Sequence, residues 1–503
     1  MDLAAQIANG FAVALTPINL LYCFIGVFIG TLVGVLPGIG PISAMSLLLP
    51  VTLSGTPESG IIMMAGIYYG SMYGGSTTSI LVNIPGEATS VVTCLDGHQM
   101  AKQGRAGPAL GMAAFSSFIA GTAAVVGLMI IAPFLASFAV AFGPAEMFSL
   151  MVLGLVIVTF LTQGSMLKSL LMASAGIVLG LIGLDSITAQ ARLTFGRIEL
   201  YDGIGLVPVV MGLFGVSEVL SNIEQGIKRT VTNTAIGSKL PTSDDWRRSR
   251  GPIWRGTVLG FFLGIIPGGG AVIASFASYA LEKRVSKTPD RFGKGAIEGV
   301  AGPEAANNAA AGGAFIPLLT LGIPPNVVMA LLLGSFVIHN ITPGPLLMMQ
   351  RPDLFWGVIT SMYIGNVMLL VLNLPLIGMW VQLLRLPYNI LFPMILLFTV
   401  VGVFASSNNV FDLYVMIAFG IFGYLARKLG YEAAPLVLAF VLGSIMENKL
   451  RTALIISSGE ISTFVKKPIS AVCLAIAAIM LLLPLIPALR RKREAVALED
   501  GNN

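Results

Sequence analysis

Phe115–Phe138, Met147–Phe160 and Met394–Phe404 contain no Asp, Glu, Lys or Arg. Uncharged stretches of this length are tolerated in lipid or among other spanning helices, where a charge would be costly. A transmembrane helix needs roughly 20 apolar residues, and a dozen or so such segments can be fitted along the 503 residues. Only 11% of the residues are charged, less than half the ~25% of a soluble domain. The expected fold is an all-α polytopic membrane protein of about 12 transmembrane helices.

The net charge of +5 does not point to nucleic acid, because the basic residues cluster beside apolar spans. Cytoplasmic retention of positive loops accounts for that pattern. Cys23, Cys94 and Cys473 are too few and too scattered for a disulfide framework or a metal site. Met1–Gly10 lacks the basic start of a signal peptide, so no cleaved leader is expected.

The chain repeats itself. Gly30, Gly34, Pro37, Gly38 and Gly40 return as Gly260, Gly264, Pro267, Gly268 and Gly270. Further on, Gly74-Gly75 leads to Ile84-Pro85, as Gly312-Gly313 leads to Ile323-Pro324. Pro208, Gly215 and Glu218 then resemble Pro435, Gly443 and Glu447. Three landmarks in the same order, about 230 residues apart, mark an internal duplication. The expected organisation is a first membrane repeat (1–223), a basic cytoplasmic linker (224–255), a second repeat (256–468), and a last helix with a basic cytoplasmic tail (469–503).

Loop charge suggests that the repeats are inverted. The loop after the second Pro-Gly segment carries Lys283, Arg284, Lys287, Arg291 and Lys294, whereas Val51–Gly60 has Glu58 and no base. Lys102 and Arg105 follow the first Ile-Pro segment; Arg351, offset by Asp353, follows the second. Lys449, Arg451, Lys466 and Lys467 fit this scheme poorly. About 27 residues separate the basic Arg255 and Lys283, a helical rise of about 40 Å, enough for one crossing and not two. A re-entrant hairpin broken at Pro267–Gly270 reconciles the two charges, and a single kinked crossing is the alternative.

Broken helices free backbone groups that lipid cannot satisfy, so they persist where they face a cavity or an ion. Four such segments supply the candidate binding residues: Pro37, Gly38 and Gly40; Ser76, Thr77, Thr78, Asn83, Pro85 and Glu87; Pro267, Gly268 and Gly269; and Asn307, Asn308, Pro324, Pro325 and Asn326. Half-helix N-termini would present amides to a carboxylate, while hydroxyls and carbonyls would ligate a small cation near the midplane. Any one glycine is explained as well by close helix packing. Glu87 sits beside a break, as a cation ligand, a proton carrier or a solvated helix end. Glu218 and Glu447 read as interfacial, Arg385 as snorkelling from a helix end, and His98 and His339 as isolated from any metal partner. No P-loop, nucleophile elbow, zinc-peptidase or haem motif is present, so no catalytic residue is assigned and the expected protein is not an enzyme. A gradient or a separate partner must then drive transport.

Gly34-Val-Leu-Pro-Gly-Ile-Gly-Pro41, Gly264-Ile-Ile-Pro-Gly-Gly-Gly270, Tyr69-Gly-Ser-Met-Tyr-Gly-Gly75, Glu298-Gly-Val-Ala-Gly-Pro-Glu-Ala-Ala-Asn-Asn308 and Leu319-Thr-Leu-Gly-Ile-Pro-Pro325 resemble the large membrane subunit (TctA) of bacterial tripartite tricarboxylate transporters. The resemblance runs over essentially the whole chain. It implies import of citrate or other small carboxylates across the bacterial inner membrane by cation symport, typically with sodium, and no other cofactor. It also implies two partners, a periplasmic solute-binding protein and a small membrane subunit of about four helices. Charge arithmetic agrees with coupling: a di- or trivalent anion entering against 100 mV costs roughly 5–7 kcal/mol, which co-transported cations remove. A passive anion channel or an exporter of organic anions is the competing expectation.

Overall fold

In a computed structural model of the protein, residues 3–36, 40–161, 165–185, 187–225, 240–268, 270–383 and 388–483 are described. Pro37, Gly38, Gly269, Arg385, the middle of the linker and the Arg490–Arg493 tail lie outside them. The first half comprises α1 (Leu3–Ala14), α2 (Pro17–Val35), α3 (Gly40–Leu48), α4 (Pro57–Val82), α5 (Ala106–Ala139), α6 (Pro144–Leu161), α7 (Met166–Gly180) and α8 (Leu206–Glu224). The second comprises α9 (Ser243–Ile265), α10 (Gly270–Val285), α11 (Glu298–Gly313), α12 (Phe315–Leu321), α13 (Val327–Ile338), α14 (Pro352–Asn373), α15 (Ile377–Leu383), α16 (Tyr388–Ser407), α17 (Val410–Lys428) and α18 (Ala434–Ile456), before a last α19 (Pro468–Leu482). A two-stranded hairpin, Gly183–Leu184 against Ala191–Arg192, is the only sheet among the described residues.

Among the described residues six helices are long and apolar enough to cross a membrane: α2, α5, α6, α8, α14 and α17. The chain is thus an all-α multi-pass membrane protein, although half of the expected 12 spans do not meet that criterion. The central helices explain part of the shortfall. Every residue of α4 from Ser59 to Val82 is buried, as is every residue of α11 from Gly299 to Gly313. A helix surrounded by protein does not need an oily surface, and these two are rich in Gly, Ala, Ser and Asn instead.

Their small residues bring backbones into contact. A Cβ on Gly34 would lie 2.3 Å from the Ser71 carbonyl oxygen of α4. One on Gly264 would lie 2.2 Å from that of Ala310 in α11. Gly30 and Gly260 make the same approach one turn earlier, to Ile67 and Ala306. Each half therefore packs its Gly-x-x-x-Gly helix on its own central helix, a close approach that only small residues permit. For these repeated glycines the packing reading accounts for the residue.

The second Pro-Gly segment, at Pro267-Gly268, is a turn rather than a kink. α9 and α10 pack along one another, which two parts of one kinked crossing would not do. α3 has nine residues, a rise of about 13 Å, too short to cross a bilayer. α9 is one continuous helix from Ser243, started by a Thr242–Asp245 capping box, so the expected linker end at Arg255 falls inside it.

Late helices exchange partners between halves: α7 packs on α18, and α8 on α17. Ion pairs and hydrogen bonds tie the basic segments together. Arg105 meets Asp245 at 2.6 Å, Arg255 meets Glu282 at 2.5 Å, and Gln103 donates to the Lys294 carbonyl at 2.8 Å. The basic segments around 102–105, 245–255 and 282–294 therefore share one region. Arg351 instead joins Glu58 at 2.5 Å. Three of the bases that fitted the charge scheme poorly are neutralised locally. Arg451 pairs with Asp185 at 2.5 Å, Lys466 with Glu460 at 2.8 Å, and Lys467 with Glu146 at 3.0 Å.

Candidate functional site

Two helix breaks with the same backbone course lie at the centre. α4 ends on Asn83 (φ 59°, ψ 28°) and α12 on Gly322 (φ 71°, ψ 21°), both left-handed. Asn and Gly are the residues that adopt this conformation most readily. Ile84-Pro85 and Ile323-Pro324 follow, proline preventing either helix from continuing. Four residues beyond each helix end the chain is extended again, at Glu87 (φ −148°, ψ 167°) and Asn326 (φ −151°, ψ 172°). Both residues cap what comes next. Glu87 forms a reciprocal capping box with Ser90, and Asn326 Oδ1 accepts from the Met329 amide at 2.9 Å. The structural equivalents are therefore Asn83 with Gly322 and Glu87 with Asn326.

The second hairpin turn leans on its break, and the end of α2 leans on the other. Gly268 (φ 75°) donates its amide to the Pro325 carbonyl at 2.9 Å. In the first half a Cβ on Gly86 would lie 2.0 Å from the Gly34 carbonyl oxygen. Thr78 Oγ1 donates to the Val35 carbonyl at 2.7 Å, satisfying the end of α2. Gly40 begins α3 with φ 64°, and Pro267 packs near Gly154 of α6.

Between the breaks runs a polar seam. Asn326 Nδ2 donates to the Tyr68 hydroxyl at 3.3 Å, joining the second break to α4. Glu87, half-buried, accepts from Thr89 Oγ1 and lies within electrostatic reach of Tyr68, Asn307 and Glu304. Asn307 is buried beside Glu87. One turn away on α11, Glu304 is 1% exposed. It accepts from Ser76 Oγ at 2.7 Å, Thr93 Oγ1 at 2.5 Å and Ser117 Oγ at 3.4 Å. Asn308 closes the network, donating to Ser117 Oγ at 2.7 Å and to the Glu304 carbonyl at 3.0 Å. Thr77 lies beside Ser76 on the wall of a small cavity.

An ionised carboxylate in such a place is costly unless charge or hydrogen bonds compensate it. Among the described residues no Lys or Arg forms an ion pair with Glu87 or Glu304; Arg255 pairs instead with Glu282, which packs on Gly302 of α11. Nor do three His, Cys, Asp or Glu side chains converge as a metal ligand set among the described residues.

Several expected site residues meet here: Ser76, Thr77, Glu87, Asn307, Asn308 and Asn326. Asn83 does not, being exposed at its helix end. Pro85, Pro324 and Pro325 shape the breaks, and the described turn residues Gly40, Pro267 and Gly268 shape the hairpins. Glu218 and Glu447 lie in salt bridges, with Arg427 and with Arg192 and Arg451 respectively, rather than simply in solvent. His98 binds the Ile80 carbonyl at 3.0 Å. Sequence reasoning did not single out Glu304, Thr93, Ser117, Tyr68 or Tyr73. Glu304 alone carried a usable signal, as the acid inside the Gly/Ala-rich block that Glu298 opens.

Among the described residues, six long apolar helices, paired helix breaks and a buried polar seam whose acids pair with no Lys or Arg define a multi-pass membrane transport protein. The chain belongs to the Tripartite tricarboxylate transporter TctA family, whose pattern it matches over residues 20–438. It is 51% identical over 500 residues to an uncharacterized 52.8 kDa protein in the TAR-I ttuC′ 3′ region of Agrobacterium vitis, covering 99% of this chain and 100% of that one. It is also 54% identical over 241 residues to an uncharacterized protein in the TAR-II ttuC′ 3′ region of the same organism, covering 48% of this chain and all of the relative. No solved structure matches the chain.

Proposed function

We propose that this protein is the large subunit of a binding-protein-dependent secondary transporter that imports small carboxylates with sodium across the bacterial inner membrane. The observation that carries the reading is the seam between the breaks, which holds Glu87 and Glu304 with no Lys or Arg paired to either among the described residues. A carboxylate substrate brought to two acidic side chains is repelled unless cations accompany it, and at low dielectric that repulsion is strong. The helix starts after the breaks and the side-chain amides of Asn307 and Asn326 offer donors to the anion. A periplasmic binding protein and a small membrane subunit of about four helices complete the system. Tricarboxylates such as citrate, or smaller carboxylates, are the substrate class.

The halves act as inverted repeats in this proposal. Support comes from the ion pairs. The segment 57–102 runs from the Glu58–Arg351 region towards the Arg105–Asp245 region, whereas 298–339 runs back from the second region to the first. The Arg105–Asp245 region, rich in bases, is the cytoplasmic one by the charge rule, and carries the linker and the C-terminus. Labels at Gly55 and Lys287 are expected on opposite faces of the membrane; the same face for both overturns the inversion alone.

The functional test is uptake of labelled citrate and shorter carboxylates into vesicles holding all three subunits and no ATP. Uptake is expected to need the binding protein and to follow an imposed sodium gradient. Flux that ignores the gradient and does not saturate instead identifies a passive channel.

A further inference from the structure

We propose that Glu304, with the hydroxyls of Ser76, Thr93 and Ser117, forms the binding site of the coupling sodium ion; this rests on the symport reading above. Three observations meet at this position. The first is the donor set. The side-chain groups around the carboxylate are neutral hydroxyl oxygens from α4, α5 and the segment after the first break. Oxygen donors suit a small hard cation, and soft metals would ask for sulfur or imidazole. One carboxylate balances one monovalent charge, while a divalent ion would leave a net positive charge buried.

The second observation is space with unsatisfied lining. A cavity with room for about one water molecule adjoins the carboxylate's partners, lined by Tyr73, Ser76, Thr77, Ser117 and Asn373. Tyr73 is 3% exposed and Asn373 4% exposed. The Tyr73 hydroxyl and Asn373 Oδ1 have no hydrogen-bond partner among the described residues. Buried polar atoms left unpaired are costly, and a bound cation would supply what these two oxygens lack.

The third is position. Glu304 belongs to the second half and its three hydroxyl partners to the first, so an ion held there ties the halves together. Thr93 lies six residues beyond Glu87, and Glu304 one turn before Asn307. Occupancy of the cation site is thereby linked to the residues that flank both breaks. An ion that fixes Thr93 and Ser76 fixes the segments on either side of the first break, which gives coupling a physical route.

The test is binding to the purified full chain, read by thermal unfolding in NaCl, KCl or choline chloride at constant ionic strength and neutral pH. Wild type is expected to gain stability with sodium in a saturable way, and much less with potassium or choline. Glu304→Gln keeps the size of the side chain and removes its charge; it is expected to abolish the sodium effect. Ser117→Ala is expected to raise the sodium concentration at half effect about tenfold, and it serves if Glu304→Gln does not fold. Sodium stabilisation unchanged in both variants, alongside sodium-driven uptake, overturns this site and leaves the symport reading standing. Wild type with neither sodium stabilisation nor sodium-driven uptake overturns both. A Glu304-dependent response to pH in place of sodium assigns a proton to the carboxylate and overturns the sodium site.

Discussion

The two helix breaks follow nearly the same backbone path and carry different chemistry. Asn83 and Gly322 both end their helices left-handed, and Glu87 and Asn326 both cap the next segment with φ near −150°. Yet one cap is an acid and the other an amide. Around them the same substitution of roles continues: Tyr68 stands where the second half has Asn307, and Ala65 where it has Glu304. A duplicated backbone thus frames a single asymmetric seam, with one deeply buried carboxylate instead of two. The comparison teaches that glycine contacts and break geometry belong to the duplicated scaffold, and that the proposed binding of substrate and cation would rest on the few positions where the copies diverged.

The largest expected effect concerns what the copies share. Gly34→Leu and Gly264→Leu each place a side chain against a carbonyl 2.3 Å or 2.2 Å from the first added atom. The backbone cannot yield as a side-chain tip does, so each is expected to cost more than the usual ~1–3 kcal/mol of overpacking. Both should lose folded protein to a similar extent in detergent size-exclusion chromatography. A severe loss for one and a mild loss for the other breaks the equivalence of the halves.

Next come the caps. Asn326→Leu removes the acceptor for the Met329 amide and the donor to Tyr68, an expected loss of about 1–3 kcal/mol with at least a tenfold fall in transport affinity. Glu87→Asn makes the first cap read like the second. Asn caps about as well as an acid, so unfolding is expected to shift by under ~1 kcal/mol while sodium-dependent uptake falls. Asn83→Gly copies Gly322 and is expected to leave both stability and uptake near wild type, since Gly is at ease with positive φ. Loss of uptake in Asn83→Gly would restore Asn83 as a ligand.

The smallest effect lies far from the breaks, at the hairpin after α7. The Thr188 amide at 2.7 Å, the Arg451 guanidinium at 2.5 Å and the Ile187 amide at 2.8 Å hold Asp185 well below the usual carboxylate range. For a lowered acid, the contribution to stability is present above the unfolded value of ~3.9 and fades as pH falls through the folded one. Protease cleavage of the hairpin is therefore expected to stay slow at pH 5 and to accelerate only in stronger acid. In Arg451→Gln the onset should move to higher pH. An unchanged onset removes Arg451 from the anchor.

Much of this architecture was legible in the chain, and the reason differs by feature. Charge-free runs declare membrane helices because lipid penalises charge wherever the helix lies. The duplication showed because backbone turns demand Gly and Pro at fixed positions, whatever surrounds them. The equivalence of Glu87 with Asn326 was also present once the Ile-Pro pairs are aligned, but the two Asn residues, 83 and 326, drew attention instead. Of the two central helices, which touch protein and not lipid, α4 carries too many small and polar residues to read as a span by hydropathy, and α11 has only 16 residues.

By itself, then, the sequence determined the class, the duplicated order of elements and the places where helices must break. These are local consequences of what a backbone and a bilayer allow. Only the tertiary structure decided that Ser76 and Ser117 of the first half converge with Thr93 on Glu304 of the second. These hydrogen bonds join residues 187 to 228 positions apart, and no local pattern records them. They arise because glycine-lined helices pack backbone to backbone, which sets the rotation of α4 and α11 and so decides which side chains face one another across the seam.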